Sequence, residues 1–139
     1  MKSVLLLLLG VVACQSPPTG PVSVPLTDAA SIRLFTAIAN NDWTAHIPLT
    51  TGYTTRMRVG LYTAAGREIT PLLHPVDMSF SVTPATTATA VVADSALLLF
   101  DLTPTDTAGT FGDLRVTLTE PATGTTKSYG PFQMLIHPL

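Results

Sequence analysis

Cysteine is almost missing from this chain: Cys14 is the only one in 139 residues. An internal disulfide is therefore excluded, and the fold must be held by burial and hydrogen bonding. Charge is nearly as scarce. Asp, Glu, Lys and Arg make up 12% of the residues, 7 basic against 9 acidic, and no basic tract occurs. Nucleic acid has no electrostatic foothold on such a surface. Long hydrophobic runs are absent too. The longest, Val4 to Val12, falls well short of the roughly 20 residues that span a bilayer as a helix. No segment carries an apolar stripe at helical spacing, which argues against an α-helical core. The motifs of nucleophilic, metal-dependent and phosphate-handling enzymes (G-x-S-x-G, H-E-x-x-H, the P-loop, paired cysteines) do not occur, so no enzymatic activity and no cofactor are expected.

What is present begins at the N-terminus. Met1-Lys2-Ser3 is a short positive region, Val4 to Val12 an apolar one, and Ala13 a small residue directly before Cys14. This length and these flanks suit a signal peptide. Val11-Val12-Ala13-Cys14 resembles the lipobox of bacterial lipoproteins. The resemblance implies cleavage before Cys14, a diacylglycerol on its sulfur and acylation of the new amino group. A core role for Cys14 would need a fold around Gln15-Ser16-Pro17-Pro18, and a reactive thiol would need a neighbouring base or cation. Neither is at hand, so Cys14 is expected to be the lipidation site. One acyl chain binds a membrane only marginally, but at about 0.8 kcal/mol per buried methylene two or three make the anchor permanent. The expected location is the bacterial cell envelope, on the periplasmic or outer-membrane face. Gln15 after the cysteine, by the same resemblance, leans toward the outer membrane.

Residues 14–28 then read as the lipidated cysteine and a proline-rich linker of polyproline character. From residue 29 to 139 the pattern changes to period two. Ile32, Leu34, Thr36 and Ile38 alternate with Arg33, Phe35 and Ala37, and Met57, Val59 and Leu61 alternate with Arg56, Arg58, Gly60 and Tyr62. Further strands are expected at Trp43 to Leu49, Asp77 to Thr83, Thr89 to Ala93, Leu97 to Asp101, Leu114 to Thr119 and Phe132 to His137. Short strands separated by Asn, Gly and Pro turns predict one all-β sandwich.

The stretch from Ile47 to Ile69 resembles the opening of bacterial immunoglobulin-like domains, with its apolar pair, glycine turn, Thr-led alternating strand and small-residue turn ending in Gly66. Thr107-Ala108-Gly109-Thr110 is similar to the step into that group's late strand. Met78-Ser79-Phe80 stands where the group places a central strand around a tryptophan, and Met78 or Phe80 would fill that core position here. The resemblance implies a single immunoglobulin-like β-sandwich.

Three sets of residues invite a functional role. His46, His74 and His137 lie far apart without ligand spacing, and Cys14 is not free to complete a copper site. No metal site is expected, although a periplasmic copper-handling lipoprotein is the alternative these histidines keep open. Arg56 and Arg58, with Arg33, share an outward face and form either a solubilising surface or a small basic patch. The long connection from Tyr62 to Asp77 holds Leu72-Leu73-His74 between two prolines, and long ordered connections are often functional. Successive side chains in an extended segment point to opposite sides, so Leu72 and Leu73 cannot both be buried. Leu72, Leu73 and His74 are thus the candidate partner-binding residues. The expected role is a lipid-anchored binding or structural module contacting another envelope protein, with an accessory subunit of a membrane complex as a further alternative.

Overall fold

Alternating apolar and polar side chains resolve into nine strands among the described residues of a computed structural model, which are 23–70 and 72–139. The lipobox, Cys14 and most of the proline-rich linker lie outside them. The strands are β1 (Ser31–Thr36), β2 (Ile47–Thr50), β3 (Thr55–Tyr62), β4 (Glu68–Ile69), β5 (Asp77–Thr83), β6 (Ala88–Asp94), β7 (Leu99–Pro104), β8 (Phe111–Glu120) and β9 (Thr125–His137). They form two sheets. One runs β1-β3-β7-β6 with β4 also paired to β3, and the other runs β2-β9-β8-β5. Every pairing is antiparallel except β2 with β9. The protein is an all-β sandwich.

The core is the set of side chains each sheet turns inward. Met57, Val59 and Leu61 of β3 are buried, as are Phe100 and Leu102 of β7. Leu114, Val116 and Leu118 of β8 face them, and Arg115, Thr117 and Thr119 point the other way, as the period of two requires. Met78 and Phe80 of β5 both turn inward. Phe80 meets Phe100 across the sandwich with ring centroids 4.7 Å apart.

Some element boundaries differ from the sequence expectation. β1 stops at Thr36, and Ile38 is 97% exposed on the turn that follows. Thr36 ends the strand itself: its carbonyl accepts from Asn40 N–H and its hydroxyl from Asn41 N–H. β7 begins at Leu99 because Asp94 captures the amides of Ala96 and Leu97 and folds that stretch into a turn.

Core packing also starts earlier than residue 29. Leu26, on a short 3-10 turn over Leu26–Asp28, is fully buried, and its N–H donates to Glu120 Oε2 at 3.1 Å. Lys127 Nζ donates to the carbonyls of Thr27 and Ala29 at 2.8 Å each, and the Tyr129 hydroxyl donates to Ala29 at 2.9 Å. These bonds tie the end of the linker to the β8–β9 hairpin.

Candidate functional site

The long connection after β3 folds back on the strand it leaves. Thr63 and Arg67 close a tight turn, with Gly66 at φ +80°, and Glu68–Ile69 then pairs with Tyr62 and Leu61. Along the same edge of β3, Thr55 to Arg58 pairs with β7. Between these two partners the sheet divides. There the Val59 N–H donates to the carbonyl of Leu98, on the turn before β7, at 2.9 Å.

A cleft of about 560 Å³ opens at the division. Arg58, Val59, Gly60 and Leu61 form its floor, residues 68–70 with 72–76 one wall, and Ser95, Ala96, Leu97 and Leu98 the other. Gly60 has no room for a side chain. A Cβ on Gly60 would stand 2.9 Å from the Phe35 ring.

Each wall ends in an exposed leucine held by backbone bonds. On one side Leu72 bridges to Val24, and the Leu73 N–H donates to the Val24 carbonyl at 2.9 Å. Leu72 packs against the core while Leu73 is 53% exposed, the division that alternation demands. On the other side the Asp94 carboxylate accepts from Ala96 and Leu97 at 2.9 and 3.1 Å. Leu98 follows at φ +54°, a left-handed conformation that costs a non-glycine residue roughly 1–2 kcal/mol. Leu97, at the tip, is 63% exposed.

The charged groups at the rim, Arg58 and Glu68, engage each other. Arg58 donates to Glu68 Oε1 and to Asn40 Oδ1 at 3.1 Å each and lies 4.7 Å over the Phe35 ring. Arg56 makes a two-pronged pair with Asp101, and Arg33 lies 3.8 Å from Asp42. The three arginines do share one sheet face, and each has an acidic neighbour on it, so the face is charge-balanced.

No family model matches the chain, and no curated protein is similar to it. The geometry alone carries the reading of the site.

Leu72, Leu73 and His74 all line the cleft. The 95–98 wall was not legible as part of a site, because Leu97-Leu98-Leu99-Phe100 reads as a strand. Asp94-Ser95 before that run is the signal that could have shown the turn, since aspartate binds backbone amides two residues on. His46 precedes β2 and His137 ends β9, apart from His74 in the wall of the cleft. Among the described residues, no group of three or more His, Cys, Asp or Glu is placed to hold a metal ion.

Two titratable groups lie where the linker end meets the β8–β9 hairpin. Glu120 is shielded from solvent at the rim of the sandwich, and the Thr123 hydroxyl, 2.6 Å away, is the main cause that holds its carboxyl below the usual range. Burial pushes the Tyr129 phenol up to about 12. Both groups hold the N-terminal segment, and neither is among the residues that line the cleft.

Proposed function

We propose that this chain is a lipid-anchored, non-catalytic binding module of the bacterial cell envelope, built on an immunoglobulin-like sandwich, with the cleft between β4 and β7 as its contact site. Support for the anchor comes from Val11-Val12-Ala13-Cys14 and the leader before it. Support for the immunoglobulin-like reading comes from strand order. With β1 and β2 taken as the two halves of a first strand A, β3, β5, β6, β7, β8 and β9 become B, C, D, E, F and G. The sheets then read A-B-E-D and A′-G-F-C, the order of that architecture with its first strand divided between the sheets.

The observation that carries the binding role is the pair of leucines, Leu73 and Leu97, exposed at the tips of two backbone-braced turns on either side of an apolar cleft. An apolar anchor on a braced turn loses little conformational freedom on binding. The strained Leu98 beside it fits the same role, because backbone strain collects at functional sites. The partner is another envelope protein, for which the tether holds the module within reach of the membrane.

The test is site-specific photo-crosslinking in intact membranes. A photoreactive residue at Leu73 or at Leu97 should yield adducts with the same partner. One at Ser79, exposed on the opposite sheet, should not. No adduct at either leucine, or equal labelling at Ser79, would remove the cleft as the contact site.

A further inference from the structure

One wall of the cleft is braced from a part of the chain that does not line it. The stretch Thr70-Pro71-Leu72-Leu73-His74-Pro75 contains two prolines, and a proline has no N–H with which to hold a wall in place. Among the described residues of this stretch, Leu73 finds its backbone partner in Val24, whose carbonyl accepts from the Leu73 N–H at 2.9 Å. Val24 also forms an isolated parallel bridge with Leu72, and both side chains pack against the core. Leu73 therefore stands where Val24 puts it.

Val24 is held in turn by the β8–β9 hairpin, through bonds that span 94 to 100 positions of sequence. Two residues after it, Leu26 is fully buried and its N–H donates to Glu120 Oε2. Lys127 Nζ donates to the carbonyls of Thr27 and Ala29, and the Tyr129 hydroxyl donates to Ala29. The wall meets this assembly a second time. Besides the larger effect of the Thr123 hydroxyl, the charge of His74 acts on the Glu120 carboxyl.

We propose that residues 24–29 are a lock on the cleft: their docking on Glu120, Lys127 and Tyr129 sets the wall that carries Leu72 and Leu73, and the wall loosens when they undock. A short terminal segment tied by a few bonds opens at a lower free energy than the sandwich as a whole, so open and closed forms can exchange without unfolding. The consequence for binding rests on the cleft being the contact site. A partner that needs Leu73 in place favours the closed lock, and the closed lock favours that partner by the same factor. Glu120, Lys127 and Tyr129 are then positioning residues for a surface that none of them lines.

The test is hydrogen exchange followed by mass spectrometry on the full chain in detergent, which reads the lock without a partner. Lys127→Met keeps an apolar stem and removes the bonds to Thr27 and Ala29. The peptide carrying Leu73 should then exchange about tenfold faster, as the loss of charge-assisted bonds implies. The amides of Leu97, held by Asp94, and of Val59, held by Leu98, should keep their wild-type rates. Tyr129→Phe, which removes one bond, should act in the same direction and less. An unchanged rate at Leu73 in both variants would overturn the lock. So would an equal rise at Val59, because the ties would then hold the sandwich and not the wall. In intact membranes, Lys127→Met should also weaken photo-crosslinking from Leu73, and undiminished crosslinking beside faster exchange would overturn the link to binding. Absence of any adduct from Leu73 in the wild-type chain would instead remove the contact site and leave the lock standing.

Discussion

At the scale of single residues, position relative to the two sheets decides what a side chain does. Leu61 and Leu73 are the same residue type, yet one is buried between the sheets and the other stands at the lip of the cleft. Leu61→Ala should cost about 2–5 kcal/mol, through lost burial and a residual cavity. That is a large part of the stability of a domain this size. Leu73→Ser should move stability by less than about 0.5 kcal/mol, and urea denaturation of the two variants checks the contrast. Tyr129 gives a pH signature of the N-terminal lock. Its folded pKa of about 12 lies above the ordinary value of 10.0, so its contribution is complete below pH 10. Above that the unfolded chain loses its proton first, and stability should fall progressively between pH 10 and 12. Tyr129→Phe should remove that share of the alkaline loss, which thermal unfolding across the range would measure.

At the scale of elements, the cleft exists because two partners share one edge of β3 and do not meet. The turn before β7 holds its wall through Asp94. Asp94→Ala should cost on the order of 1 kcal/mol for the lost backbone hydrogen bonds. It should also reduce photo-crosslinking from Leu97 while leaving that from Leu73 intact. Equal loss at both positions would show that the turn is not an independent wall. The elements were legible in the sequence to the extent that alternation is a local signal. β5 runs from Asp77 to Thr83 as its pattern predicts, and Leu114, Val116 and Leu118 face inward as a set. Elements made by distant contacts were not. The two-residue β4 exists only through its pairing with β3, and Leu26 is buried only because Glu120, Lys127 and Tyr129 hold its segment in place. Ile38 misled because its spacing continues β1, while Thr36 had already given its carbonyl and hydroxyl to the turn. Half of the cleft was accessible from Leu72-Leu73-His74. The other half was hidden inside an apolar run.

At the scale of the whole molecule, the N-terminal lock and the cleft are neighbours along the chain's entry into the sandwich. The chain leaves the linker at Val24, which is bonded to Leu73, and is then fixed to the β8–β9 hairpin before β1 begins. The proposed contact site is thus beside the point where the described chain begins, and on the proposed anchor its reach would be set by the linker. Val24 is ten positions after Cys14, and a polyproline chain of that length would span roughly 30 Å. The central claim is that this module works from a lipid anchor, and the mass of the mature protein tests it most directly. Protein extracted from membranes should begin at Cys14 and carry the added mass of a diacylglycerol and an acyl chain, both lost in a Cys14→Ser variant that leaves the membrane fraction. A mature chain that retains Met1 to Ala13, or that carries an unmodified Cys14, would contradict the account.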